Sequence, residues 1–448
     1  MLLSPDAPIQ RLAAAIERAE VSVREVVDAS LDRVEARNTT LNAFTQVLSD
    51  SSRVAADRAD REIAAGHYRG PLHGIPISIK DLIDVAGTPT TAASHVADRS
   101  PAPSDAPVVA RLREAGAIVI GKCNLHEFAF GTTGEDSAFG PTRHPLDPQR
   151  SPGGSSSGSA VSVADGMVTA SIGTDTGGSI RIPAAACGLV GLKPTFDELP
   201  CHGIVPLAPS LDHVGPLTRS VADARLLFAA MRGATGAPAP TTPVTRRLGC
   251  PRPYFLDVLD AEVREIFDTA LTRLGSSEWM VRDSPVRYGH DTATVCLHLV
   301  LSEATAVHAS SLDTQAESYT EGVRLRLELG RYVLGEDYAR AQRGRAVLTH
   351  AVDAALVGHD ALVLPTLAIP AWPLGTETVD VGGRPISVRN VTLRLTQLFN
   401  ATGHPAISIP CGCTTGGLPV GLQLVGRRGH TDHLLHVAEA CETVLACR

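Results

Sequence analysis

Apolar residues recur at three- and four-residue spacing through SVREVVDASLDRVEARN (22–38) and SSRVAADRADREIAAG (51–66), the period of helices with one buried face. Residues 7–67 therefore read as a helical region, closed by Gly66 and by Gly70-Pro71. The pattern then changes. HGIPISIKD (73–81) alternates as a short strand and ends on Lys80-Asp81. DAPVVARLREAG (105–116) returns to helical spacing, stops at Gly116 and leads into the strand AIVIG. Residues 131–154 are irregular, rich in Gly, Pro, Asp and Thr, and so long a structureless stretch in a compact region points to function or disorder. GGSSSGSAVSVADGM (153–167) opens a helix of small residues, MVTASIG (167–173) is a strand, and IRIPAAAC (180–187) begins a further helix. Residues 235–248 look like a connector, and 250–395 give only weak helical signals. Order returns with the strands AISIPCG and VGLQLVG and an amphipathic helix over 431–445. Helices alternating with strands predict an α/β fold around a mostly internal sheet.

Composition narrows the function classes. The 448-residue chain is 44% hydrophobic and 20% charged, an ordinary globular balance. A net charge of −8 offers no basic footprint for nucleic acid. The N-terminus lacks the apolar core of a secretory signal, and no run approaches eighteen uncharged apolar residues. Nine scattered cysteines argue against a disulfide framework, and sixteen histidines fall in no metal-ligand spacing. The expectation is a cytoplasmic protein without metal or cofactor, a monomer or homodimer with a small-molecule substrate and no nucleic-acid or membrane partner. Of forty basic residues only Lys80, Lys122 and Lys193 are lysine. Arginine cannot give up its proton, whereas a buried lysine can, so Lys80 at a strand end is a candidate base.

Two Gly/Ser-rich loops carry the candidate chemistry: Gly153–Ser159 and Gly173–Ser179. Gly153 to Gly158 has the spacing of a phosphate-binding loop, but Ser159 stands where that loop requires lysine. Neither loop supplies the dinucleotide fingerprint. Gly154-Ser155-Ser156-Ser157-Gly158 satisfies G-x-S-x-G, yet the nucleophile elbow must follow a buried strand, and here RHPLDPQRSPG precedes it.

Taken together, GGSSSGSA, GTDTGGSIRIPAA, GLVGLKPT, HGIPISIKD, GKCNLHEFAFG and the tail GHPAISIPCG…GLPVGLQLVG resemble the amidase-signature family. The resemblance is close over 20–235 and good over 395–445, while 250–395 is not matched. It implies a central mixed twisted sheet flanked on both faces by helices, in a single domain over 1–448 with a variable helical region at about 250–395. It implies Ser179 as nucleophile, Ser155, preceded by a cis peptide bond, as relay, and Lys80 as base. The same resemblance makes the N–H groups of Thr176, Gly177, Gly178 and Ser179 an oxyanion hole and Asp175 with Arg181 a brace for the nucleophile loop. It makes Phe130, Gly131, Thr132 and Thr133 a substrate loop. No cofactor is implied.

The expected activity is hydrolysis of an amide, an ester, or an aryl carbamate such as a urethane. Neither 130–133 nor the apolar stretch 297–312 offers Arg or Lys, so the substrate is expected to be neutral and fairly hydrophobic. The alternative is the amidase component of a glutamine-dependent tRNA amidotransferase. It is disfavoured by Asn124-Leu125-His126-Glu127-Phe128-Ala129-Phe130-Gly131, where such components have residues like NMDEFAMG, and by the unmatched segment. A binding protein that has lost catalysis is disfavoured because all three triad residues are present.

Overall fold

A computed structural model describes residues 5–233 and 243–446; most of the expected connector at 235–248 lies outside the described residues. Thirteen strands are described: β1 (Phe44–Val47), β2 (Pro76–Lys80), β3 (Ile118–Cys123), β4 (Ala170–Asp175), β5 (Val190–Lys193), β6 (His213–Thr218), β7 (Arg247–Cys250), β8 (Met280–Asp283), β9 (Ala361–Pro365), β10 (Thr378–Asp380), β11 (Pro385–Ser387), β12 (Ala406–Cys413) and β13 (Pro419–Val425). Eleven of them form one sheet in the order β1-β3-β2-β4-β6-β5-β12-β13-β9-β7-β8, and β10 with β11 forms a separate hairpin.

The sheet is mixed. β2 runs parallel to β3 and β4, and β7 parallel to β8 and β9, whereas β4–β6–β5–β12–β13–β9 are joined by antiparallel pairings. Every residue of β2, β3, β4, β5 and β6 is buried, so these strands are covered on both faces.

The described helices are α1 (Ile9–Glu17), α2 (Val23–Leu41), α3 (Ser49–Ala64), α4 (Pro107–Glu114), α5 (Ser157–Ala164), α6 (Arg181–Cys187), α7 (Val221–Arg232), the single turn α8 (Arg252–Phe255), α9 (Ala261–Ser276), α10 (Thr292–Gln315), α11 (Glu321–Gly330), α12 (Gly335–Ala355), α13 (Val388–Leu393), α14 (Gln397–Ala401) and α15 (Thr431–Ala446), and α2, α3, α5, α6 and α7 pack on β2–β6. α2 starts on a capping box, in which Ser22 accepts from the Glu25 N–H and the Glu25 carboxylate accepts from the Ser22 N–H. α5 is built from small residues because it lies directly against the chain at its N-terminal end. A Cβ on Gly158 would stand 2.2 Å from the Ala43 carbonyl oxygen and 2.6 Å from that of Asn124, so no side chain fits there. On the sheet side, Ser162 of α5 and Ser171 of β4 hydrogen-bond Ser78 of β2 at 2.9 and 2.8 Å.

The helical reading of 7–67 overlooks β1, whose four residues are too short to show a period beside two long helices. The reading of 235–248 as a connector overlooks the start of β7, and the reading of 250–395 as helical overlooks β8, β9 and the hairpin. β9 (ALVLP) is wholly buried, and an apolar run without alternation does not announce itself as a strand. α10 is apolar and long enough by composition to cross a membrane, and 39% of its most apolar window is buried within the protein.

Candidate active site

Lys80 ends β2 with its side chain fully buried among hydroxyls. Its Nζ lies 2.8 Å from Ser155 Oγ, 3.0 Å from Ser156 Oγ and 2.7 Å from Thr174 Oγ1. Ser156 in turn donates to the Thr174 carbonyl at 3.1 Å, so toward Lys80 it can only accept. A neutral amine in this nest has two N–H groups for Ser156 and Thr174, and its lone pair is left for the Ser155 hydroxyl.

No carboxylate touches Lys80 among the described residues. The adjacent Asp81 is taken by Lys122 at 2.9 Å and by the hydroxyls of Thr45 and Thr91. This ion pair accounts for a second of the three lysines. The third, Lys193, is buried with the Pro194 carbonyl as its hydrogen-bond partner, and burial and Arg181 hold it well below the usual lysine range. For Lys80, burial outweighs the opposing pull of Asp175 and Asp212 and lowers the ammonium to about 7. A useful fraction is thus free base near neutral pH.

The peptide bond between Gly154 and Ser155 is cis. Ser179 lines a cavity of 540 Å³. Its carbonyl accepts from the Ser156 N–H at 3.2 Å, which binds the two Gly/Ser loops together. Among the described residues its hydroxyl makes no hydrogen bond, so the Ser155–Ser179 contact that a relay needs is not closed in this conformation.

Asp175 and Arg181 form a fully buried, doubly hydrogen-bonded ion pair, with both contacts at 3.0 Å. The Asp175 carboxylate also accepts from the N–H groups of Gly178 at 2.7 Å and Ile180 at 3.2 Å. Arg181 reaches Gln423 Oε1 and Asn400 Oδ1, both at 2.6 Å, and the Thr396 carbonyl at 3.1 Å. Burial alone would raise the Asp175 carboxyl, but Arg181 and Asn400 hold it well below the usual carboxylate range. Arg181→Met should leave a buried, unpaired carboxylate and cost about 3–5 kcal/mol in urea unfolding. Replacing both partners by apolar residues of similar volume should cost less.

Of the four N–H groups expected to form an oxyanion hole, that of Gly178 is already engaged. Gly178 donates its N–H to Asp175 and is not available to a ligand. Among the described residues, the N–H groups of Thr176, Gly177 and Ser179 have no acceptor within the protein, and these three residues line the cavity.

Phe130, Gly131 and Thr132 also line the cavity; Thr133 does not. Thr133 turns to His126 Nδ1 at 3.4 Å, and its carbonyl accepts from Ser151. Phe128 and Ala129, at φ of 49° and 58°, turn the chain sharply just before this wall. The Glu127 carboxylate secures the turn by accepting from Ser94, from the Thr320 N–H and from the Thr320 hydroxyl.

The expectation of a neutral pocket fails. Arg389 of α13 and Arg394, just after it, line the cavity. Arg394 stacks on Tyr254 at 4.0 Å and donates to the Tyr254 carbonyl at 2.6 Å. Arg389 lies over the Phe130 ring at 5.9 Å, and Arg326 lies 5.5 Å from the same ring. Arg326 is paired with Asp136 at 3.3 Å. Among the described residues neither Arg389 nor Arg394 has a carboxylate partner, and the Nε of each is buried without a hydrogen bond. Burial, with repulsion from Arg326, draws the Arg389 guanidinium down to about 10. Phe130, Gly131 and Thr132, with Leu297 and Val300 of the apolar stretch 297–312, line the same cavity as the two arginines.

The sequence model of the Amidase family matches residues 25–435. This chain belongs to the Amidase family. The match runs through 250–395, the segment that motif comparison leaves unmatched. A glutamyl-tRNA(Gln) amidotransferase subunit from Geobacter metallireducens is 36% identical, covering 98% of this chain and 98% of that protein. A crystal structure of an amidase superposes with a TM-score of 0.93 at 37% identity, covering 98% of this chain and 100% of that one. A structure reported for a vestigial protein complex that reveals the evolutionary origins of an s-triazine catabolic enzyme gives 0.91 at 31% identity, covering 98% of each chain. The mixed twisted sheet with flanking helices described above is the fold of these solved relatives.

These relatives overturn one expectation. Charge and motifs suggest a monomer or homodimer with a small-molecule partner and no nucleic acid, yet the end-to-end relatives at this identity include subunits of a glutamyl-tRNA(Gln) amidotransferase. Net charge and motif content describe a chain's own surface and carry no trace of what a protein partner contributes.

Proposed function

We propose that this chain cleaves the C–N bond of a small amide bearing a carboxylate, through an acyl-enzyme on Ser179, as the amidase component of a glutamine-dependent tRNA amidotransferase. The observation that carries the substrate class is the pair of guanidinium groups, Arg389 and Arg394, facing the cavity without carboxylate partners among the described residues. The full-length likeness to glutamyl-tRNA(Gln) amidotransferase components supports the assembly.

In this reading neutral Lys80 takes the Ser155 proton while Ser155 takes that of Ser179, once the Ser179 hydroxyl turns toward it. Ser179 Oγ attacks the amide carbonyl carbon, and the oxyanion is met by the N–H groups of Thr176, Gly177 and Ser179. Ser155 protonates the nitrogen and is itself reprotonated from Lys80. The C–N bond breaks and ammonia leaves. Water, activated by the same pair, then hydrolyses the ester.

The purified chain should release ammonia from glutamine faster than from a neutral amide of similar size. Arg389→Gln and Arg394→Gln should each lower kcat/KM for glutamine about 10- to 100-fold and leave the neutral amide within about twofold. In a strain depleted of its own amidotransferase amidase, the gene should restore Gln-tRNA(Gln) formation.

A second reading, a free-standing amidase for neutral amides or aryl carbamates, is favoured by the apolar half of the cavity. Leu207, Leu211, Cys296, Leu297 and Val300 line it. An anilide or urethane cleaved faster than glutamine would select this reading.

A further inference from the structure

Asp212, one of the two carboxylates whose pull opposes burial at Lys80, stands on the turn that leads into β6. One carboxylate oxygen accepts from Thr176 Oγ1 at 2.5 Å. The other accepts from the N–H groups of Leu207 at 2.9 Å and Ala208 at 3.0 Å. Thr176 carries one of the free N–H groups of the nucleophile loop, and Leu207 is part of the substrate cavity wall. A single side chain thus fastens the donor loop to the wall it must stay in register with. A smaller cavity of 290 Å³ is bordered by Asp212, Thr174 and Thr176, and Thr174 is the residue whose hydroxyl accepts from Lys80.

The charged and titratable groups around Asp212 come from several elements. Lys80 approaches from β2, and Asp212 favours its ammonium form. Glu303 approaches from α10, where it accepts from the Ser210 N–H and hydroxyl, and Arg345 of α12 donates to the same Ser210. Cys201, whose thiol burial and Asp212 push up to about 12, lies on the preceding loop, and His213 follows directly. Burial raises the Asp212 carboxyl to about 6 against its three hydrogen bonds.

We propose that Asp212 is a positioning residue that holds the oxyanion donors in place through the Thr176 hydroxyl. Its negative charge has a second effect, opposing release of the Lys80 proton. The two effects are separable. Asparagine at 212 can still accept from the turn and donate to Thr176, but it carries no charge. Valine at 176 leaves the charge and removes the link.

This inference rests on Ser179 and Lys80 acting as nucleophile and base, so the experiment uses a probe that needs no knowledge of the substrate. The rate of Ser179 labelling by an alkyl fluorophosphonate is followed from about pH 5 to about pH 10 for native protein, Asp212→Asn, Thr176→Val, Thr176→Ser and the Asp212→Asn/Thr176→Val double variant. Asp212→Asn should move the midpoint of the pH profile to lower pH by about half a unit or more, because the free base of Lys80 is no longer opposed by the carboxylate. Thr176→Val should lower the high-pH plateau about tenfold with the midpoint shifted less, and Thr176→Ser should recover it. The double variant should have a plateau no lower than Thr176→Val alone.

An unmoved midpoint in Asp212→Asn, or a native plateau in Thr176→Val, overturns the proposal even if the other variant fails to fold. Native protein that takes no label overturns the Ser179 reading itself, and this inference with it.

Discussion

Ser179→Ala should reduce amide turnover by about 10⁴-fold or more and abolish labelling by a serine-directed phosphonate. The size of the effect follows from the geometry. Ser179 lines the 540 Å³ cavity, whereas Ser155 and Ser156 are wholly buried against Lys80. The neighbouring Thr176 hydroxyl is already committed to Asp212. Ser155→Ala should slow labelling by a smaller factor without moving the adduct, since it interrupts proton transfer and leaves the attacking atom in place. Peptide mass mapping of the adduct decides between the loops. A phosphonate on Ser155 or Ser156 would mean that the attacking atom lies in the first Gly/Ser loop.

Lys80→Ala should leave the protein folded and lower turnover by about 10²- to 10⁴-fold, with the remaining rate climbing with pH as hydroxide substitutes for the missing base. In native protein the rate should rise through about pH 7, where Lys80 loses its proton. Below that pH Lys80 is an ammonium with all three N–H groups committed to Ser155, Ser156 and Thr174, and it has no lone pair to give. Lys80→Arg is the sharper test. A guanidinium stays protonated throughout the range, so a variant with near-native rates would remove Lys80 from the role of base.

The motifs of the candidate site are legible in the sequence because they bring uncommon residues together. A lysine in an arginine-biased chain, paired glycines before serine, and a strand end in front of both leave few alternatives. Their partners are not legible, for physical reasons that differ from case to case. Ser156 and Thr174 complete the nest around Lys80, yet a buried serine and a strand threonine look alike whether or not a base lies beside them. Lys122 and Asp81 stand on neighbouring strand ends, and their pairing depends on β2 and β3 running parallel. Gly178 reads with its neighbours as an N–H donor to the substrate, but Asp175 folds back within three residues and takes that N–H.

The largest departure comes from Arg389 and Arg394. They stand on α13 and just after it, in a segment without motifs, and only the tertiary fold brings that segment to the cavity of Ser179. A cationic wall so distant along the chain from the nucleophile has no local signature. The short strand β8 at the sheet edge and the buried runs of β7 and β9 are obscured for a similar reason, since neither an exposed edge strand nor a buried strand shows the alternation by which strands are recognised.

The reach of Arg181 has a consequence for how the protein is made. Its guanidinium ends on Gln423, 242 residues further along the chain, and on Asn400, 219 residues along. When a ribosome has released Lys80, Ser155 and Ser179, every reactive group has been synthesised, but the loop that aims them still lacks these late supports. Such a nascent chain should be inert, and it stays so until β13 emerges and closes the middle of the sheet. A product cut short before residue 423 would keep all three reactive side chains and should still show no hydrolysis. The last-made strands thus complete the surroundings of a loop that the first-made ones began.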